Sequence, residues 1–109
     1  MDCDELKDEI KQMPLVSERP MFGYECFSAS GKFFVGFSKK NRHKIIVRLP
    51  KDEQQKALKD KEIKPFSHGA KAGWIEIDLR HVGSATISKC VKKGYDHALQ
   101  LAKSKSETS

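Results

Sequence analysis

Apolar positions along this chain change period several times, and each change marks an element. Over residues 4–13, Leu6, Ile10 and Met13 recur at helical spacing, with acids in the first turn where a helix dipole favours them. Pro14 ends that run. From Met21 the pattern becomes that of strands. MFGYECFSA reads as one strand, Ser30-Gly31 as a turn, KFFVGFS as a second strand, KKNRH as a polar loop and KIIVRL as a third strand. Short loops between successive strands imply an antiparallel meander.

Pro50 stops the meander, and KDEQQKALKD reads as a short helix over 51–60 anchored by Ala57 and Leu58. Phe66 follows Pro65 in a brief extended stretch, and HGAKAG forms a loop. GWIEIDL then alternates strictly, with Ile75, Ile77 and Leu79 on one face and Trp74, Glu76 and Asp78 on the other. A final helix spans about 84–103, its stripe formed by Ile87, Val91, Gly94/Tyr95, Ala98 and Leu101/Ala102. Gly94 inside that stripe costs roughly 1 kcal/mol of helix propensity, which a close approach of helix to sheet would explain. Residues 104–109 read as a disordered tail.

The expected fold is therefore α+β, in the order α-βββ-α-ββ-α: a single antiparallel sheet with helices packed on one face, forming one domain over 1–103. The first helix, thin in apolar residues, is expected across a sheet edge. Met21 and Phe22 are expected to open a core strand. Phe33, Val35 and Phe37 are expected to face the core, with Phe34 on the opposite face.

Charge changes this picture in one region. Residues 32–71 carry twelve Lys and Arg against four acids, more than the net +6 of the whole chain. Such asymmetry points to an anionic partner, nucleic acid being the usual one. Lys39, Lys40, Arg42 and Lys44 cluster at the loop joining the second and third expected strands, where a hairpin tip could clamp phosphates. Arg48 is expected on a central strand, paired with Glu76 or Asp78 or holding an anion.

Enzyme chemistry finds little support in the residues. Gly31, Gly36 and Gly69 fit neither GxxxxGK nor GxGxxG. Cys26 lies in an expected strand and His68 in a loop that could reach it, but the sequence supplies no activating environment for a thiolate. Cys3, Cys26 and Cys90 form no metal-ligand spacing with the four histidines, so no metal and no cofactor is expected. Free thiols, an acidic start and no apolar run approaching about 20 residues point to a cytoplasmic protein that does not enter membranes.

Read in order, Arg19-Pro20-Met21-Phe22-Gly23, Gly31-Lys32-Phe33-Phe34, Val47-Arg48-Leu49, Pro65-Phe66 and Gly73-Trp74 resemble the TfoX N-terminal domain family, over about 19–102. That resemblance implies a fold similar to secretion chaperones and the YjbR group. Its founding member is a bacterial regulator of DNA-uptake competence, so it also implies a non-catalytic regulatory role. The glycine usual after MFG is here Tyr24, and the helical domain of the longer regulators is missing. The expected function is a binding module contacting nucleic acid through Lys39, Lys40, Arg42, Lys44 and Arg48. The alternative is a homodimer or protein-interaction module built on exposed Tyr24, Phe34 and Trp74, without nucleic acid.

Overall fold

The computed structural model describes residues 2–108, with side chains as far as Lys103. The tail expected at 104–109 thus lies outside what is described in full. The meander starts one strand earlier than the pattern suggests, because MFGYECFSA is broken in its middle. Phe22 and Gly23 both take left-handed backbone, at φ 50° and 82°, and form a two-residue hairpin loop. Met21 therefore closes β1 (Val16–Met21) and Tyr24 opens β2 (Tyr24–Ala29). The hidden strand is polar because it lies at the sheet edge, where Pro20 forfeits no interior hydrogen bond.

The remaining elements follow the expected order. They are α1 (Cys3–Lys11), β3 (Lys32–Ser38), β4 (Lys44–Arg48), α2 (Lys51–Ala57), β5 (Ile63–Pro65), a 3-10 turn (Ala70–Ala72), β6 (Trp74–Asp78) and α3 (Ser84–Thr108). The fold is an antiparallel six-stranded α+β sheet, ordered β1-β2-β3-β4-β6-β5, with three helices.

A bulge decides which phenylalanine faces where. In the β2–β3 pairing Phe27 opposes Val35 but the next residue, Ser28, opposes Phe33, so Phe34 is left over. Strict alternation would put Phe34 opposite to Val35. The extra residue instead turns Phe34 into the core, fully buried with its ring edge-on to Tyr95 of α3 at 5.6 Å. Phe33 lies half-buried on the other side of the sheet. Both expectations for this pair are thus reversed, and Phe34 is no interface residue.

The covered face is packed by Phe27, Val35, Phe37, Ile45, Val47, Ile75 and Ile77 from the strands. Ile87, Val91, Tyr95 and Ala98 come from α3. Leu6 and Ile10 of α1 are fully buried in this core, not laid along an edge. Asp2 caps α1 by accepting from the Glu5 amide at 2.9 Å. The close approach expected at Gly94 is present: a Cβ there would lie 2.9 Å from Val47 Cγ1 and 3.0 Å from the Arg48 carbonyl oxygen. No helix among the described residues is long and apolar enough to cross a membrane.

Candidate functional site

The basic loop does not form the surface its composition suggested. Lys39 and Arg42 border a cleft of about 810 Å³ whose other wall is the start of α1, with Asp2, Asp4 and Glu5, and Glu25 beside them. The Cys3 thiol donates to the Arg42 carbonyl, tying the loop to that acidic helix end. Lys40 is exposed. Lys44 lies in β4 and pairs with Glu76 at 3.8 Å. Arg48 pairs with neither Glu76 nor Asp78; its Nε donates to the Ala72 carbonyl at 3.0 Å. Acids thus lie among these cations, and the five do not make one patch.

The other face of the sheet carries a different feature. Cross-strand partners run in one continuous row from edge to edge: Arg19, Cys26, Gly36, Ile46, Glu76 and Lys64. Gly36 is buried in the middle of that row. A Cβ on it would meet Ile46 Cγ1 at 3.0 Å and Cys26 Sγ at 3.2 Å, so these side chains close over the space a side chain would fill. Above them lies a hollow of about 530 Å³, walled by Tyr24, Phe33 and Trp74. Phe66 and His68 reach it from the loop after β5, and Met21 and Phe22 from the β1–β2 hairpin.

Backbone geometry holds this loop over the sheet. The Phe66 amide donates to the Trp74 carbonyl at 3.1 Å. The Gly69 backbone lies so close to the indole that a Cβ there would be 2.6 Å from Trp74 Cδ1. Gly73, at φ 101°, comes so near Leu49 that a Cβ would be 2.0 Å from its carbonyl oxygen. Carbonyls of the 70–74 turn accept from Arg48, Lys51 and Gln54. Phe66 thereby meets Tyr24 edge-on at 5.7 Å, although three strands lie between β2 and β5, and His68 meets Phe66 at 5.6 Å. The aromatic walls are set by protein contacts alone.

Sequence reasoning placed Tyr24 and Trp74 at the surface, and the fold brings them into this one hollow, each half-buried. It missed Phe33, Ile46 and Phe66, and it assigned Phe22 to a core strand. Phe22 is instead 94% exposed at the hairpin tip. The signal available for Phe22 was the residue after it, since a glycine closing a two-residue gap between strands marks a left-handed hairpin loop.

The ionisable groups here are muted. Burial pushes the Cys26 thiol up, away from the thiolate a nucleophile needs, although Cys26 and His68 do line the same hollow. Burial, then the charge of Glu76, raises Tyr24, which keeps its hydroxyl as a donor. The hydrogen bonds from Arg80 hold Asp78 far below the usual carboxylate range.

A helix-covered antiparallel sheet with an open aromatic face defines a small single-sheet α+β domain. The YjbR family model matches residues 11–97, and the chain belongs to that family. Protein DR2400 of Deinococcus radiodurans, whose crystal structure is described as carrying the family domain DUF419, aligns with TM-score 0.76 and 13% identity. It covers 86% of this chain and 75% of its own. A Pseudomonas syringae protein aligns at TM-score 0.69 and 15% identity, over 90% and 99%. At these identities the likeness speaks for the fold alone. Among curated proteins none matches.

The family match corrects the TfoX resemblance. Gly23, Gly31 and Gly73 sit at left-handed turns, and Val47 and Leu49 are buried. Such positions answer to the demands of the fold, so they do not separate one family of this shape from another. The competence-regulator role falls with the resemblance, and so does nucleic-acid contact through the basic loop. The alternative interface on Tyr24, Phe34 and Trp74 does not stand as read, since Phe34 is buried in the core.

Proposed function

We propose that this protein is a binding module, not a catalyst, and that the hollow on the open sheet face receives a small planar aromatic molecule. The observation that carries this is the preformed aromatic hollow of about 530 Å³, whose walls are fixed by ring-edge contacts within the protein. Its volume lies within the roughly 300–1,000 Å³ common for small-ligand sites, and its lining of apolar rings with few polar groups is typical of them. Ring walls presented at angles favour a flat aromatic guest, which can stack on one ring and meet another edge-on. Preorganisation helps further, because little side-chain freedom is lost on binding. Three free cysteines, two of them buried, suit a reducing cytoplasmic setting.

Trp74 is the only tryptophan, so its indole N–H gives a single unambiguous NMR signal. Titration with indole, naphthalene and quinoline probes should move that signal saturably. Phe66→Ala and Phe33→Ala should each weaken the effect about tenfold or more. Linear, non-saturating shifts with every probe, or shifts indifferent to both substitutions, would overturn the proposal.

A further inference from the structure

The apolar hollow lies in an unevenly charged frame. Among the described residues the open face carries Arg19, Lys44, Arg48 and Lys64 along its strands, against Glu76 and Asp78. Glu76 is taken by Lys44 at 3.8 Å. Asp78 is taken by Arg80 through two hydrogen bonds, at 2.8 and 3.1 Å. What remains is positive. Arg19 is the cross-strand partner of Cys26 in the floor, and Arg48 is the partner of Trp74 in the wall. Lys64 lies at the far end of the floor row. None of the three has an ion-pair partner among the described residues; Arg48 spends only its Nε, on the Ala72 carbonyl.

We infer that the molecule received by this hollow is an aromatic anion, its ring on the floor made by Cys26 and Ile46 and its carboxylate or sulfonate directed to Arg19 or Arg48. This rests on the reading of the hollow as an aromatic-ligand site and adds its charge class. Two arguments support it. Directly opposed cross-strand residues on one face have Cβ atoms about 5 Å apart, so both arginines start beside lining residues. A guanidinium next to an apolar, partly dry surface is screened less than one in open water, so its attraction for a carboxylate is stronger there. Tyr24 adds an un-ionised hydroxyl on the same wall, able to donate to an anion.

The test compares 2-naphthoate with 2-naphthamide, equal in shape and differing by one charge, both followed through the Trp74 indole signal. The anion should bind at least tenfold tighter at low salt, and its advantage should shrink several-fold near 0.5 M salt. Arg19→Gln and Lys64→Gln lie on exposed edge strands and should keep the fold while cutting the preference, Arg19→Gln the more. Arg48→Gln should cut it too, and the Phe66 signals will show whether the 70–74 turn survives. Equal binding of acid and amide, or a preference untouched by Arg19→Gln and Arg48→Gln, would overturn the anion inference while leaving the aromatic site standing. Absence of saturable binding by both compounds would overturn the site and the inference together.

Discussion

The two faces of this sheet are built from the same strands by alternate residues, yet they are finished in opposite ways. One is packed with aliphatic side chains and the rings of Phe27, Phe34 and Phe37, filled by α1 and α3, and its large side chains are buried. The other is aromatic, half-exposed, and holds a hollow instead of a helix. Each face has a glycine where a neighbour comes close. At Gly94 the neighbours are the Arg48 and Phe34 carbonyls and Val47, so the space is needed for backbone to meet backbone. At Gly36 they are the ends of Ile46 and Cys26. The covered face is thus closed by rigid groups and the open face by adjustable ones. Dense packing on one side supplies the stability that allows the other to stay unfilled.

The sharpest way to break this comparison is to truncate two adjacent phenylalanines. Phe34→Ala removes a fully buried ring and should cost about 3–5 kcal/mol. Phe33→Ala removes a half-buried ring from the open face and should cost roughly 1 kcal/mol while weakening aromatic binding. Urea unfolding of the two variants measures both. If the costs came out reversed, the bulge between Phe27 and Ser28 would be wrongly placed and the two faces exchanged at this point.

The glycines give the next effect. Gly94→Ala gains about 1 kcal/mol of helix propensity but must push α3 off a carbonyl and Val47, and overpacking of this kind costs about 1–3 kcal/mol. The expected outcome is net destabilisation. Gly36→Ala meets only side-chain ends, so its net change should stay within about 1 kcal/mol, while the raised floor lowers affinity for a flat ligand. A Gly94→Ala protein as stable as the parent would show that the helix can shift, and the covered face would not be the rigid partner described.

The two left-handed hairpin loops repeat the contrast on a smaller scale. Ser30-Gly31 and Phe22-Gly23 have nearly equal φ values, 51° and 84° against 50° and 82°. A small polar residue suits the first position of such a loop; a bulky aromatic does not. Phe22 is also 94% exposed, so neither local geometry nor burial accounts for it. Its overhang on the hollow does, if the ring serves a ligand. Phe22→Asn should therefore raise stability by about 1 kcal/mol, read as a higher urea midpoint, and lower aromatic affinity. Unchanged affinity would strip the hairpin of its part in the site.

How much of this was legible in the sequence follows from which interactions are local. The alternation of Ile75, Ile77 and Leu79 announced the covered face because period two in sequence is period two in space. The α3 stripe and Gly94 were legible for the same reason at period 3.6. The Phe33/Phe34 inversion was not, because a bulge is a property of a strand pair. Lys44 was read as a cation of the basic loop and Arg48 as paired with Glu76 or Asp78 or holding an anion, whereas their partners, Glu76 and the Ala72 carbonyl, come from distant segments. Tyr24 and Trp74 were picked out as exposed aromatics, but no local pattern could show Phe66 reaching Tyr24 across three strands. Composition reported the number of cations in the middle third; only the fold reports which acids lie beside them.

The smallest expected effect joins the two faces through charge. His97, half-buried on α3, is held below its ordinary value, first by burial and second by the charge of Arg48, with Asp52 opposing. A histidine depressed in the folded state takes its proton first in the unfolded chain. Its contribution to stability is therefore present above the unfolded value of about 6.5 and is lost as pH falls through that value toward the folded one. The carboxylates lowered by their cations, Glu25 by Lys7 and Asp78 by Arg80, lose their contributions only as pH falls below the unfolded carboxylate range of about 4, so the windows separate. The urea midpoint should decline between about pH 7.5 and pH 5.5 in the parent, and decline less in His97→Gln. Arg48→Gln should release the second cause but not the first, moving the His97 titration part of the way back in NMR. A bound aromatic anion near Arg48 should act in the same direction, raising the histidine on the covered side without touching it. If the His97 titration ignored both changes, burial alone would account for it, and the two faces would be electrostatically separate.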